Sequence, residues 1–283
     1  MILFQNRFIE RDDAVVDIED RGYQFGDGVY EVVRVYGGQF YLLDEHMSRL
    51  ERSTSEIRVE MPMTTKALKQ NLLDLVQKNG LKDGIVYLQL TRGASVRTHH
   101  FPEQSEAVLT AYTREMPRPV GQMENGVRTI LTEDVRWLRC DIKSLNLLGN
   151  VLAKQEAKER GATEAVFHRG DTVTEGSSSN VLIVKDGVVL THPANRLILN
   201  GITKNKVFQL ADQEGVAVKE KEFSVETLLT ADEVFITSTT SEITPVVQID
   251  ETRIGDGAPG AVTLKLQKAF GQSIQNESYA ETN

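Results

Sequence analysis

Residues 29–36, V-Y-E-V-V-R-V-Y, are dense in Val and Tyr and predict a strand. Its period of two puts Tyr30, Val32 and Arg34 on one face and Val29, Glu31, Val33 and Val35 on the other. Gly37-Gly38 then turns the chain into residues 39–43, completing a hairpin. From residue 44 the period lengthens to that of a helix. Asp44 is the predicted N-cap, and Met47, Leu50, Thr54 and Ile57 form the stripe, with Arg49 on its border. Thr64 caps a second helix, with Leu68, Leu72, Leu75 and Val76 on one side and a stop at Asn79-Gly80. Residues 85–91 and 107–113 read as strands flanking a long loop over 92–104. Upstream, residues 2–9 read as one strand, 14–18 as a short second one, and 20–28 as a tight glycine-rich loop.

Residues 115–121, E-M-P-R-P-V-G, hold two of the seven prolines and predict a linker between domains at 1–114 and 122–283. In the second domain, strands are predicted at 127–132, 165–168, 181–184, 188–191, 234–237 and 246–249. Helices are predicted from Ser144 or Asn146 to Arg160, at 203–214, from Ser224, and at 262–272, with a polar, frayed end at 277–283. Strands and helices mixed in both halves predict a two-domain α/β (α+β) protein.

Composition narrows the function classes. Lys plus Arg is 32 against 41 for Asp plus Glu, a net charge of −9, which argues against a nucleic-acid or anionic-membrane partner. No run approaches the length needed to span a bilayer, and the N-terminus lacks the order of a signal peptide. A single cysteine, Cys140, excludes an internal disulfide and suits a reducing compartment, so a cytoplasmic location is expected.

The candidate chemistry starts at Lys143, the one charged residue in the apolar stretch 142–153. Desolvation favours a neutral amine, and a neutral amine can attack a carbonyl to form a Schiff base. A lysine whose stem packs on apolar surface while its head reaches water is the alternative. Three further segments supply hydroxyls, glycines and a helix start: T-V-T-E-G-S-S-S-N at 172–180, L-N-G-I-T-K at 199–204 and T-S-T-T-S-E-I-T-P at 237–245. Those are the donors that a phosphate group requires, although ordinary turns use the same residues. Adjacent His99 and His100, with no Cys or Asp nearby, make poor metal ligands, so no metal is expected.

Taken together, C-D-I-K-S-L-N, T-E-G-S-S-S-N and T-S-T-T-S-E-I-T-P resemble the fold-type IV pyridoxal-phosphate aminotransferases. Adding D-R-G-Y-Q-F-G-D-G-V-Y-E and R-T-H-H-F gives a resemblance to the members that act on D-amino acids, from Asp20 to about Val247. The resemblance implies pyridoxal 5′-phosphate bound between two domains, with Lys143 as its covalent anchor and proton carrier. Glu175 would pair with the pyridine nitrogen. Arg49, Ile202, Thr203, Ser238 and Thr239 would hold the phosphate, Leu199 would pack under the ring, and Ser177, Ser178 and Ser179 would line it. Tyr30, Arg97 and His99 would clamp the substrate carboxylate, with Val32 and Trp137 beside the substrate. The arginine and histidine of the clamp would come from a second subunit, which implies a homodimer. The implied reaction moves the amino group of D-alanine and other D-amino acids to 2-oxoglutarate or another 2-oxo acid. A branched-chain L-aminotransferase and an aminodeoxychorismate lyase are the rivals on the same scaffold.

Overall fold

The computed structural model describes residues 1–280, with side chains to residue 276; of the expected frayed end, 281–283 therefore lie outside the described residues. The chain divides into two compact units. One is Met1–Pro117 with Ile142–Asn146, and the other is Arg118–Asp141 with Leu147–Asn283.

In the first unit β1 (Ile2–Phe4), β2 (Arg7–Ile9), β3 (Gly28–Tyr36), β4 (Gln39–Tyr41), β5 (Gly84–Thr91) and β6 (Val108–Glu115) form one sheet. It is antiparallel throughout, in the order β2-β1-β6-β5-β3-β4. Helices α1 (Arg21–Phe25), α2 (Leu43–Glu56) and α3 (Thr65–Lys78) complete the unit. The apolar stripes of α2 and α3 pack on one sheet face. There Val29, Val33 and Val35 of β3 meet Met47, Leu50, Leu68, Leu72 and Leu75, all buried. Side chains of this kind contribute about 1.5–3 kcal/mol each when fully buried.

Several expectations change here. Residues 2–9 are a hairpin, since Gln5 takes a left-handed φ of 56° between β1 and β2. Residues 14–18 form no strand and leave Val15, Val16 and Ile18 exposed. The glycine-rich loop contains α1, because the Asp20 side chain accepts from the Gly22 N–H and Gly26 closes the helix at φ 65°. Asp44 lies in the first turn of α2, whose N-cap is Leu42 in the left-handed region.

The second unit carries α4 (Val120–Asn125), β7 (Val127–Glu133), α5 (Leu148–Glu159), β8 (Glu164–Arg169), β9 (Thr172–Gly176), β10 (Asn180–Lys185) and β11 (Val188–Thr191). The chain continues with α6 (Ile202–Gln213), β12 (Val218–Glu220), α7 (Val225–Leu229), β13 (Glu233–Ser238), β14 (Glu242–Ile249), β15 (Thr252–Arg253) and α8 (Ala261–Ala280). Its mixed sheet runs β12-β11-β10-β13-β14-β7-β8-β9, with β15 paired to β14. The expected linker over 115–121 shortens to 116–119, because β6 extends through Glu115 and α4 begins at Val120. Three strands, β9, β12 and β15, were not anticipated. Thr and Val favour a pleated surface as much as a turn, and β9 uses them that way.

Candidate active site

The segment 142–146 lies along the start of β3. Tyr30 donates its N–H to the Lys143 carbonyl at 3.0 Å, and Leu145 donates to the Gly28 carbonyl at 3.0 Å. Gly28 permits this approach, because a Cβ there would stand 2.6 Å from the Leu90 carbonyl oxygen and 2.8 Å from Leu145 Cδ1. The result sets Lys143 Nζ 4.2 Å from the centre of the Tyr30 ring. Tyr30 heads a row of rings across the strands, stacked on Tyr87 at 5.8 Å, which stacks on Tyr112 at 5.2 Å. Val32 shares this face, half-buried.

The apolar stretch does not form the expected wall around Lys143. Ile142 enters the core of the first unit, whereas Val135, Leu138, Leu148, Val151 and Leu152 are exposed, and the lysine is half-buried. The hydrophobic run therefore marks a surface.

On the core face of β3, Glu31 is fully buried and must be paired to remain charged. Helix α2 supplies His46 and Arg49, three residues apart and therefore on one side. His46 Nδ1 lies 2.7 Å from Glu31 Oε2, and Arg49 forks onto Glu31 with Nε and Nη2 at 2.7 and 2.8 Å. Burial opposes the charge on Glu31, yet Arg49 and His46 hold it well below the ordinary carboxylate range. Burial also pushes the His46 imidazole below its usual value against the pull of Glu31, with Arg49 and Lys143 adding to the effect. Two nitrogens of Arg49, expected on a phosphate, are thus engaged by Glu31.

Arg97 and His99 share one seat. The Arg97 guanidinium lies 4.8 Å from the Phe25 ring centre, and the His99 ring meets Phe25 edge-on at 5.8 Å. Arg21 fixes the loop between them by donating to the Thr98 carbonyl at 2.7 Å. Both side chains are exposed, so they present an arginine fork and an imidazole outward together.

In the second unit, Glu175 lies on β9 and is buried. Its Oε2 accepts from Asn180 Nδ2 at 3.1 Å and from the Leu199 N–H at 3.0 Å, and its Oε1 accepts from Arg136 Nη1 at 2.7 Å. Burial pushes the Glu175 carboxyl up, to about 7, against the opposing pull of Arg136 and the Leu199 N–H. Asn180 also donates to the Leu199 carbonyl at 2.9 Å, which ties β10 to the approach of α6. A Cβ on Gly201 would stand 1.9 Å from Asn180 Oδ1, so the close passage requires glycine.

Helix α6 opens without a side-chain cap at Gly201, and its first residues Ile202 and Thr203 are buried. An open helix N-terminus with a hydroxyl in its first turn suits a phosphate. Asn180 pairs with Thr237, so the β13–β14 turn lies at the same sheet end. In that turn Ser238 Oγ lies 2.7 Å from Ser241 Oγ and accepts the Ser241 N–H, while Thr239 is half-buried.

Ser177, Ser178 and Ser179 all donate their hydroxyls to buried Glu164, which Lys154 approaches at 3.3 Å. These three serines are held by a carboxylate absent from the sequence reading. Trp137 is half-exposed, and its carbonyl accepts from Cys140 Sγ and Arg169 Nη2. Burial pushes the Cys140 thiol up to about 11, which leaves it a poor nucleophile. Glu31, His46, Asp134, Arg136 and Glu164 were assigned no role from the sequence, and Asn180 entered only as the end of the segment 172–180. Only the alternation on β3, which placed Glu31 among valines, signalled one of them.

Two sets of groups emerge. One offers an amine beside a tyrosine ring, and the other a buried carboxylate beside an open helix N-terminus. Among the described residues, no cluster of His, Cys, Asp or Glu could hold a metal ion, and no helix is long and apolar enough to cross a membrane.

Residues 28–249 match the family model for amino-transferase class IV. The D-alanine aminotransferase of Bacillus licheniformis is 50% identical over 277 residues, covering 98% of each chain. Among solved structures, the branched-chain amino acid aminotransferase of Escherichia coli superposes with a TM-score of 0.91 at 27% identity, covering 96% of this chain and 93% of that one. The T.th. branched-chain amino acid aminotransferase, solved with pyridoxamine 5′-phosphate, gives 0.89 at 28%, with the same coverage.

Proposed function

The chain belongs to the class IV amino-transferase family, and on that premise we propose that it is a D-amino acid aminotransferase. It moves the amino group of D-alanine and other D-amino acids to 2-oxoglutarate or another 2-oxo acid, yielding D-glutamate with the former. The cofactor is pyridoxal 5′-phosphate. The donor set fits that group: a lysine amine, a buried carboxylate for the ring nitrogen, and an uncapped helix N-terminus with Thr203 for the phosphate. Arg49, Ser238 and Thr239 are further phosphate candidates, Leu199 a support for the ring, and Ser177–Ser179 its polar border through their hold on Glu164. When bound, the cofactor supplies an electron-withdrawing ring and a carbonyl carbon that receives the amino group.

The residues then divide the work. The Lys143 amine would hold the cofactor covalently, and the same amine would take the proton from the substrate Cα. Glu175 keeps the ring nitrogen protonated. Tyr30, Arg97 and His99 fix the carboxylate, and Val32 and Trp137 border the side chain. With the Cα–H bond aimed at Lys143, handedness follows from which side receives the carboxylate.

The observation that carries the D-specific reading is the shared seat of Arg97 and His99 on Phe25. The test is the single-turnover rate with D- and L-alanine. A strong D-preference is expected, and Arg97→Ala should cost about 2–4 kcal/mol of it, roughly 30- to 700-fold, with the D rate falling more. Equal D and L rates in the unaltered protein would refute the assignment. A branched-chain L-aminotransferase would not carry R-T-H at 97–99 as its carboxylate site, and a lyase would not sustain transfer to 2-oxoglutarate.

The functional unit is a homodimer in which Arg97 and His99 serve the partner's site. Exposed Val135, Trp137, Leu138, Leu148, Val151 and Leu152 support an apolar contact surface. Co-expressing Lys143→Ala and Arg97→Ala chains should then restore about a quarter of the activity, since half the dimers are hybrids with one complete site. Mixed dimers as inactive as either parent would place the clamp within one chain. The net charge of −9 speaks against nucleic-acid and membrane partners, and the free thiol of Cys140 suits the cytoplasm.

A further inference from the structure

A carboxylate buried as deeply as Glu175 needs a reason to point one way and a reason to stay charged. Its two oxygens offer about four acceptor sites. Asn180 Nδ2 and the Leu199 N–H fill Oε2, and Arg136 Nη1 takes one site on Oε1. The remaining acceptor site is therefore on Oε1, and Arg136 sets its direction.

Arg136 is itself heavily constrained. Nε and Nη2 fork onto Asp134 at 2.8 and 2.9 Å, Nη2 reaches the Leu197 carbonyl at 3.4 Å, and the guanidinium lies 4.4 Å from the Phe167 ring centre. Asp134 is held in turn by Thr174 Oγ1, Arg169 Nε and the Arg136 N–H, each at 3.1 Å. The stem has little room, because a Cβ on Gly149 would stand 3.0 Å from Arg136 Cγ. These contacts span the loop after β7, strands β8 and β9, and the loop before α6, so the guanidinium cannot turn away without breaking several at once.

We infer that Arg136 is a positioning residue for the amino transfer: it aims the open acceptor site of Glu175 and supplies the cation that favours the carboxylate form, with Asp134 and Arg169 fixing Arg136. The inference rests on the proposed role of Glu175 at the cofactor's ring nitrogen.

The charges around Glu175 agree with the geometry. Burial pushes its carboxyl up, Arg136 and the Leu199 N–H pull it down, and Asp134 pushes it up again. Asp134 stays ionised because, against its own burial, Arg136 and Arg169 hold it below the ordinary carboxylate range. Cys140, the other titratable group near Arg136, is kept as a neutral thiol by burial and does not offset the guanidinium. Removing Arg136 therefore removes the cation that faces Glu175 and leaves Asp134 as an opposing anion.

The test has two independent readouts. In the full chain without cofactor, labelled with 13C at glutamate Cδ, the Glu175 signal is identified by its loss in Glu175→Gln and followed against pH. Arg136→Gln should move its midpoint up by about one to three pH units. In the pyridoxal-phosphate-loaded protein, the rising limb of the single-turnover rate with D-alanine should move up in step. Arg136→Lys keeps the charge but lacks the fork. It should restore most of the midpoint while the plateau rate stays low, a separation of charge from aim that a merely structural residue would not produce. It also serves as the readout should Arg136→Gln fail to fold. An unchanged Glu175 midpoint in both variants would overturn the inference while leaving the role of Glu175 standing. A moved midpoint with an unmoved rate limb would overturn both.

Discussion

Replacing Lys143 with alanine is expected to abolish both half-reactions, lowering each single-turnover rate by about 10⁴-fold or more. Two functions disappear together. On the proposed reading the covalent anchor is lost, and so is the proton-carrying amine, which is set beside the Tyr30 ring. Cofactor affinity should fall far less, because an uncapped α6 N-terminus and Thr203 lie in a part of the structure that the substitution does not touch. Small primary amines added to Lys143→Ala should recover part of the proton transfer, since they supply the missing base without the anchor. In the unaltered protein, borohydride reduction followed by peptide mapping should place the cofactor on Lys143. A label on Lys154, which instead approaches Glu164, or on Lys158 would overturn the assignment.

Glu175→Gln should slow Cα–H abstraction by about 10²–10³-fold while changing cofactor affinity little. The amide retains the shape and one acceptor oxygen but carries no charge to hold the ring nitrogen protonated. Burial raises the folded-state carboxyl from its ordinary 4.5 to about 7, and this predicts a stability signature with a definite sign. Between those values the unfolded chain has lost the proton and the native chain keeps it, so stability falls as pH rises through the window. The slope amounts to roughly 2–3 kcal/mol across it, present in the cofactor-free protein and absent from Glu175→Gln. Denaturant titrations at pH 4.5 and pH 8 measure it. An equal slope in both proteins, or an unchanged half-reaction rate, would remove Glu175 from its role.

Legibility varied with the distance over which a residue finds its partner. The β3–β4 hairpin was readable because Gly37 and Gly38 both take positive φ between Val- and Tyr-rich strands. Thr64 was readable as a cap because its acceptor role is satisfied three residues away, by the Ala67 N–H. Helix α1 was not, since three glycines in seven residues hide a helix of five residues that rests on the Asp20 cap. The apolar residues around Lys143 were legible as apolar but not as exposed, because periodicity does not say which face meets solvent. Arg136 and Glu175 are 39 positions apart and lie in segments with no common pattern, so their ion pair left no local trace. The same holds for Glu164, whose three serine partners begin 13 residues on.

The return of residues 142–146 to the first unit has a consequence for how the chain is made. A nascent chain that has left the ribosome as far as Pro117 contains every strand of the first sheet, but not the segment that bonds the Tyr30 N–H and the Gly28 carbonyl. Those groups wait, paired with water, until 29 further residues (118–146) have been synthesised. Lys143 and the strand end that its segment completes therefore come into place in one late event. A gene fragment cut at the linker would encode a sheet with its functional edge unfinished. The three passages of the chain between the units, at 117/118, 141/142 and 146/147, tie the two into a single unit of inheritance.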